Sequence, residues 1–189
     1  KKKKTMQGEQ AQMVWTDPPY GVAVVGCAGV GSRATPESKR RKQGGLTIKN
    51  DALSPDQLES FLSDALGLAL AHSKAGAAWY VASPDLASVF FSFATVLRKF
   101  EVWRHTLVWA KNSFVMGRSD YHYRHESVLY GWTPGAAHYF VNDRTQDSVH
   151  EVKRPGLSKE HPTMKPVELI RRHIENSSKP GWLVAEPFG

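Results

Sequence analysis

The sequence predicts an open α/β sheet with helices on both of its faces. Short, β-prone apolar runs alternate along the chain with segments whose apolar residues recur at helical spacing. Several of the helical segments follow residues that favour a helix start. A chain of 189 residues is long enough for one sizeable core, so we expect a single domain over residues 1–189. In such folds, ligands bind beyond the carboxyl ends of the strands.

The first two elements are a strand and a helix. Residues 13–16 are apolar and β-prone, and Pro18 and Pro19 end the run because proline has no amide hydrogen to donate. Ser54, Pro55 and Gln57 have the spacing of a capping box with proline at the first helical position. The apolar residues that follow predict a helix that continues to about His72.

The later elements continue the alternation. Residues 77–82 form a compact apolar run, and residues 83–85 are expected to open a helix that continues through Leu97. Two further β-rich runs, a helix and a last strand are predicted at residues 103–109, 127–132, 166–178 and 182–185. Strands and helices therefore alternate over most of the chain.

The composition favours a polyanionic partner and a reducing compartment. Subtracting 18 acidic from 25 basic residues gives a net charge of +7, which attracts nucleic acid. A lone cysteine, Cys27, excludes an internal disulfide and a cysteine-rich zinc site. The histidines lack the spacing of a closed metal site, so no metal is expected. Because no run approaches about 20 apolar residues, we expect a cytoplasmic protein that does not cross a membrane.

Asp17, Pro18, Pro19 and Tyr20 follow the first predicted strand, where this fold places its site. The exocyclic nitrogen of adenine or cytosine is a poor nucleophile because its lone pair is delocalised into the ring. Asp17 and the Pro18 carbonyl can accept hydrogen bonds from its two protons, and Tyr20 can stack on the base. Such a base must be flipped out of the duplex. Taken alone, these four residues are equally well explained as a strand-ending turn.

A second group of motifs makes the chain resemble a known family. The motifs are His161-Pro162-Thr163-Met164-Lys165-Pro166 before a predicted helix, Glu186-Pro187-Phe188-Gly189 after the last strand, Trp109-Ala110-Lys111-Asn112, the stretch 117–122, and Arg124-His125-Glu126. In this order the chain resembles the bacterial and phage DNA amino-methyltransferases of the permuted group, whose catalytic motif precedes the cofactor-binding motif. The resemblance implies a Rossmann-like sheet and methylation of DNA by S-adenosyl-L-methionine. Adenine N6 is favoured over cytosine N4, because relatives that act on cytosine more often carry serine in place of Asp17.

The resemblance also implies site residues. The catalytic residues are Asp17, Pro18, Pro19 and Tyr20, and those near the cofactor are Asp17, His161, Pro162, Thr163, Lys165, Glu186, Pro187, Phe188 and Gly189. Thr163 and Lys165 would lie near the amino-acid end of the cofactor. Glu186 departs from the family, which usually has aspartate there. The family continues after this point with a turn, a helix and strands, so we expect a longer protein and a cofactor pocket that is incomplete within these residues.

The predicted DNA contacts lie outside these motifs. Residues 21–50 are expected to form a long, glycine-rich, mobile loop, and residues 133–160 fall where the family keeps its target-recognition region. Side chains that could meet phosphate or base edges are Lys39, Arg40, Arg41, Lys42, Arg118, Arg144 and Gln146. A solvated loop surface is the alternative explanation for the basic block. Glu126 and His125 are assigned a structural role, because methylation of an amine needs no strong base.

Two alternatives to a DNA methyltransferase remain open at this stage. The chain could keep the methyltransferase fold and bind nucleic acid without activity. It could also methylate RNA or a protein glutamine, although the glutamine enzymes use Asn-Pro-Pro-Tyr, and Asp17 and the basic loop argue against protein. The expected partner is double-stranded DNA, and the resemblance leaves a homodimer and a cognate restriction nuclease open.

Overall fold

The computed structural model describes residues 8–21, 53–114, 120–155 and 164–188. Within these ranges the chain forms an α/β structure, which confirms the predicted fold class. The strands are β1 (Ala11–Thr16), β2 (Ser73–Ser83), β3 (Trp103–Ala110), β4 (His125–Trp132), β5 (Val149–Glu151) and β6 (Val184–Ala185). The helices are α1 (Pro55–Ala71), α2 (Ala87–Lys99) and α3 (Val167–Ser177).

The six described strands form one open, mixed sheet in the order β5-β3-β4-β2-β1-β6. β1 pairs in parallel with β2 and β6, and β3 pairs in parallel with β5. β4 is antiparallel to both β2 and β3. The carboxyl ends of β1, β2, β3 and β6 therefore lie at the same edge of the sheet, and β4 begins there. We call this edge the active edge.

Helices cover both faces of the sheet, as the alternating pattern predicts. On one face, Val14, Trp79 and Val81 pack in a core with Leu58 and Leu62 of α1 and with residues of α2. Successive side chains of a strand point to opposite faces. On the other face, a second core contains Met13, Trp15, Ala78 and Tyr80, with Ile170 and Ile174 of α3 packed against it.

The start of α1 agrees with the sequence and the start of α2 does not. Ser54 Oγ accepts a hydrogen bond from the Gln57 amide at 3.3 Å, and Gln57 Oε1 accepts one from the Ser54 amide at 3.0 Å, which completes the capping box. The expected helix start at residues 83–85 is wrong. β2 continues to Ser83 and α2 begins at Ala87, because the Asp85 carboxylate accepts a hydrogen bond from Ser127 of β4 instead of capping the helix.

Two short strands depart from expectation at the two borders of the sheet. The sequence does not predict β5, because three residues in which only the middle side chain is buried give no periodic signal. β6 is shorter than predicted and comprises Val184–Ala185. None of the helices in the described ranges is both long and apolar enough to span a membrane.

Candidate active site

Charged side chains from four separate segments meet at the active edge. Asp17 follows β1, Lys111 follows β3, Glu126 lies at the beginning of β4, and Lys165 lies just before α3. The sequence separates Asp17 from Lys165 by 148 positions. The sheet topology brings the four together, since the ends of β1 and β3 and the start of β4 share this edge.

Lys165 stands at the centre of this group. Its Nζ donates to both carboxylate oxygens of Asp17 at 2.9 Å, and it lies 3.2 Å from Glu126 Oε2. The contact with Glu126 is an ion pair only, because Oε2 is enclosed and makes no hydrogen bond of standard geometry. Glu126 Oε1 accepts a hydrogen bond from Lys111 Nζ at 2.5 Å. We call the alternating series Asp17, Lys165, Glu126 and Lys111 the charge chain.

The charge chain keeps its buried members ionised. Burial opposes the charge on Lys165, whose side chain is 7% exposed, but Asp17 and Glu126 outweigh burial and raise its pKa. Burial alone would raise the pKa of Glu126, and the ammonium groups of Lys165 and Lys111 instead hold it below the ordinary value. A raised pKa of Lys165 and a lowered pKa of Glu126 both favour the charged form, so each residue stabilises the charge of the other.

Tyr20 presents an aromatic ring beside the charge chain. Lys165 Nζ lies 5.3 Å from the centre of the ring, and the ring meets Phe93 edge to face at 5.9 Å. Tyr20 as a whole residue is partly exposed, whereas its hydroxyl oxygen is enclosed and makes no hydrogen bond of standard geometry. Burial and the nearby carboxylate of Asp17 raise the pKa of Tyr20 well above its usual value, so the phenol stays neutral.

Glu186 joins the same edge from β6. Its Oε1 accepts hydrogen bonds from Thr16 Oγ1 at 2.9 Å and from the Phe188 amide at 2.8 Å. Burial is the largest cause that raises the pKa of Glu186, and the charge of Asp17 acts in the same direction. The Phe188 ring lies 5.8 Å from Phe61 of α1. Two acidic groups and an aromatic pair therefore surround the ends of β1 and β6.

The predicted site residues fall into two groups. The structure brings together Asp17, Tyr20, Lys165, Glu186 and Phe188 at the active edge, with Pro18 buried in the same turn. Pro19 follows in that turn and is half-buried, and Pro187 is exposed next to Glu186. The other predicted motif residues and most of the basic side chains lie outside the described residues. They are His161, Pro162, Thr163, Gly189, Lys39, Arg40, Arg41, Lys42 and Arg118.

The described part of the predicted recognition region runs beside α3. Gln146 Oε1 accepts hydrogen bonds from Arg172 at 3.1 and 3.2 Å, and Gln146 Nε2 donates to Asp143 at 2.8 Å. Gln146 is thus hydrogen-bonded to α3, and both Gln146 and Arg144 are exposed. Their roles in reading DNA stay predictions.

A buried histidine pair connects this region to β1. Trp15 Nε1 donates to His173 Nδ1 at 3.0 Å, and His173 Nε2 lies 3.0 Å from His150 Nδ1. His150 Nε2 lies 3.1 Å from the Asp147 carbonyl oxygen. Because an indole can only donate, all the hydrogen bonds run in one direction and each neutral imidazole carries its proton on Nε2. Burial is the main cause that lowers the pKa of His173 to about 3.

The segment between β3 and β4 carries exposed aromatic rings at the active edge. Tyr121 is 88% exposed, and Phe114 and Tyr123 are about half exposed. Phe114 stacks on His122 with 5.1 Å between the ring centres. Exposed aromatic side chains of this kind are typical of surfaces that bind partners.

Sequence reasoning misses two features of this edge. It gives Glu126 a structural role and uses Lys111 only for the resemblance, although both belong to the charge chain. An acidic residue immediately before an apolar strand is the signal that could identify Glu126. The histidine pair of His150 and His173 gives no such signal, since its members lie 23 positions apart.

The fold and the carboxylate site after β1 define a protein of the amino-methyltransferase class. A family model described as DNA methylase, of the N6 and N4 type, matches residues 11–189. The chain belongs to this family. Membership confirms the DNA amino-methyltransferase predicted from sequence and S-adenosyl-L-methionine as its cofactor.

Solved structures of DNA methylases share this fold at low sequence identity. The complex of M1.HpyAVI with SAM superposes with a TM-score of 0.60 at 16% identity, covering 96% of this chain and 72% of that protein. A second crystal structure of M1.HpyAVI superposes with a TM-score of 0.57 at 14% identity, covering 96% of this chain and 72% of that protein. TTHA0409 from Thermus thermophilus, described as a candidate DNA modification methylase, gives 0.57 at 14%, over 95% and 72%. A comparison with curated protein sequences finds no significant match.

Proposed function

We propose that this protein transfers a methyl group from S-adenosylmethionine to the exocyclic amino nitrogen of a base flipped out of duplex DNA, namely N6 of adenine. One observation carries the proposal. Asp17 already binds a nitrogen donor, Lys165 Nζ, at 2.9 Å from both carboxylate oxygens and 5.3 Å from the Tyr20 ring. The amino group of a base stacked on Tyr20 would present the same kind of donor at the same place.

The chain's own groups supply acceptors for the reacting nitrogen. Asp17 accepts a hydrogen bond from one amino proton and the Pro18 carbonyl accepts the other, which localises the lone pair on nitrogen. S-adenosylmethionine supplies an electrophilic methyl group on a sulfonium, so a nitrogen–carbon bond forms as the sulfur–carbon bond breaks. The product nitrogen then releases one proton, which has become acidic, toward Asp17 and solvent. Pro19 and Pro18 fix the backbone that holds these acceptors.

The residues near β6 fit this methyl donor. Its sulfonium and its amino group are both positive, and the carboxylates of Glu186 and Asp17 provide neighbouring negative charge. Phe188 offers an apolar surface for its adenosine part, and Pro187 fixes the turn between them. We assign binding of the donor's carboxylate to the segment of His161, Pro162 and Thr163. We assign a close backbone contact with the donor to Gly189.

The DNA contacts of the proposal combine charge with exposed aromatic rings. Tyr121 and the Phe114 pair lie at the active edge, where a flipped base leaves a gap in the duplex. The basic side chains predicted to meet the duplex are Lys39, Arg40, Arg41, Lys42, Arg118 and Arg144. Residues 133–160 are the proposed recognition region, in which Gln146 also reads base edges. A homodimer and a cognate restriction nuclease stay predictions of the resemblance.

The decisive experiment measures transfer of labelled methyl groups to DNA. The protein is incubated with S-adenosylmethionine labelled in the methyl group and with unmodified genomic DNA, RNA or protein. We expect label in DNA only, recovered as N6-methyldeoxyadenosine after digestion. The Asp17→Ala variant should lose at least about 100-fold in rate, as when one preorganised acceptor or donor is removed from a reacting centre.

A matched control and the contrary outcomes complete this test. Asp64 is an exposed acidic residue of α1, so Asp64→Ala removes a carboxylate without touching the active edge and should keep the wild-type rate. Asp17→Ala should retain binding of DNA in a gel shift. Normal methylation by that variant would refute the catalytic role of Asp17. Binding of DNA without any transfer by the wild type would instead support a nucleic-acid-binding protein.

A further inference from the structure

We infer that Lys165 is a placeholder for the target amine. Before the flipped base enters, Lys165 Nζ occupies the place on Asp17 that the amine will take, and it moves to Glu126 when the base arrives. The inference rests on the proposed function and names a positioning residue, Glu126, that the reaction chemistry alone does not require. It also specifies which bases the site accepts. The argument depends on the contacts of a single nitrogen atom, Lys165 Nζ.

Lys165 and a target base compete for the same space. Nζ lies 2.9 Å from both Asp17 oxygens and 5.3 Å from the centre of the Tyr20 ring. A base that stacks on Tyr20 and donates to Asp17 must bring its own nitrogen within hydrogen-bond distance of the same carboxylate. A base amine bound between this carboxylate and the Tyr20 ring would overlap Nζ, so Lys165 has to leave that place before such a base can bind.

Glu126 is the acceptor that receives it. Its Oε2 lies 3.2 Å from Nζ, is enclosed, and makes no hydrogen bond of standard geometry. Its other oxygen is held by Lys111, which fixes the carboxylate in place and favours its charged form. The flexible stem of lysine allows a short movement of Nζ by bond rotation. The ammonium group therefore changes partner without becoming a buried, unpaired charge, which would be strongly unfavourable.

The exchange makes the site selective for bases that carry an amino group. Entry of any base breaks the contact between Lys165 and Asp17, and only an N–H donor restores a hydrogen bond to Asp17. Thymine has the O4 carbonyl at the position of the amine and its only N–H donor on the ring, at N3, so a thymine bound in the same pose presents an oxygen acceptor to Asp17 and leaves it unpaired. A base without an amino group is therefore disfavoured because it leaves the Asp17 carboxylate unpaired. The contact that discriminates between bases is the same contact that the reaction uses.

The test compares two duplexes that differ at the target position. The target is first located by sequencing DNA that the wild-type protein has methylated. One duplex then carries adenine there and the other carries an abasic site, so that no base enters and Lys165 keeps its contact with Asp17. Dissociation constants are measured by fluorescence anisotropy. In Glu126→Gln, binding of the adenine duplex should weaken about tenfold or more, the effect of losing a charged hydrogen-bond partner, with the abasic duplex changed less than about twofold.

A second variant and a control protect the test against misfolding. In Lys165→Arg, the guanidinium holds both Asp17 oxygens in a bidentate fork, so the adenine duplex should again bind more weakly and the abasic duplex should not. Asp85 is another carboxylate at the active edge, bonded to Ser127 and within 3.7 Å of His125 Nε2, and not bonded to Lys165. Asp85→Asn should leave both dissociation constants unchanged. Binding of the abasic duplex reports in each case that the fold is intact.

The outcomes separate this inference from the proposed function. If the wild type transfers no methyl group to DNA, the proposed function fails and the placeholder fails with it. If the wild type methylates DNA, but Glu126→Gln and Lys165→Arg change both duplexes by equal factors or change neither, the placeholder alone is refuted. A purely structural role for Glu126 gives equal factors.

Discussion

The buried histidine pair predicts a loss of stability when the pH falls from 7.5 to 5.5. His173 accepts a hydrogen bond from Trp15 through Nδ1 and faces His150 through Nε2. A second proton, on Nδ1, would place two N–H donors opposite each other at the contact with Trp15. Burial, then the neighbouring His150 and Arg172, lower the pKa of His173 to about 3. In the unfolded chain a histidine titrates near about 6.5. The perturbation is therefore the pH change, applied to the wild type and to His173→Gln.

The expected magnitude follows from linkage between protonation and folding. The pKa of His173 is lower in the folded chain than in the unfolded chain. Above about pH 6.5 His173 is neutral in both states, whereas below that pH only the unfolded chain takes up the proton. The free energy of unfolding therefore falls as the pH falls toward the pKa of the folded chain. One pH unit below the unfolded pKa, the unfolded chain has gained about 1.4 kcal/mol from the proton that the folded chain excludes. The pKa of His150 is also lowered, mainly by burial, and acts in the same direction.

The assay is urea unfolding at both pH values, followed by tryptophan fluorescence. We expect the free energy of unfolding of the wild type to fall between pH 7.5 and 5.5 by about 1.4 kcal/mol more than that of His173→Gln. Glutamine keeps an acceptor and a donor but does not titrate. Carboxylates with a raised pKa, such as Glu186, are present in both proteins and cancel in this difference. An equal pH dependence of the two proteins would show that His173 is not a buried neutral residue.

Three further predictions concern the site and the fold. Tyr20→Ala should lower kcat/KM for DNA about tenfold to 100-fold, the usual effect of losing a base stacked on an aromatic ring, measured by transfer of labelled methyl groups. Gly131→Ala should cost about 3 kcal/mol or more in urea unfolding, because the added Cβ would clash with the Val102 carbonyl oxygen. Ser54→Ala should cost about 1 kcal/mol in the same assay through loss of the N-cap, and an unchanged midpoint would contradict the capping box.

Local signals in the sequence predict elements where the interactions are local. The start of α1 is predictable because Ser54 and Gln57 satisfy each other within one turn. The start of α2 is not, because Asp85 bonds to Ser127, which is 42 positions away. β5 escapes prediction for a related reason, since its three residues are held by pairing with β3 rather than by their own periodicity. Contacts between distant segments override local preference at these points.

The candidate site divides in the same way. A strand followed by prolines is enough to predict Asp17 at the active edge, and the order of the motifs predicts Lys165 and Glu186 near it. The position of Glu126 before an apolar strand can single it out, but its role as exchange partner cannot be found by such reasoning, because its contacts reach Lys111 and Lys165 in other segments. An isolated carboxylate before a strand is compatible with many roles. Its role here depends on the enclosure of one oxygen atom, which only the folded chain defines.

The reversed direction of β4 explains how the site obtains a second carboxylate. A parallel strand at that position would end at the active edge and would begin at the opposite one, so its first residues could not reach Asp17. Because β4 is antiparallel to β2 and β3, its beginning carries Glu126 to the edge where β1 and β3 end. Lys111 and Lys165 then alternate in sign with Asp17 and Glu126. Removal of Glu126 leaves Lys111, a buried ammonium, without its carboxylate partner, so the site is complete only when β1, β3, β4 and the segment before α3 have all assembled.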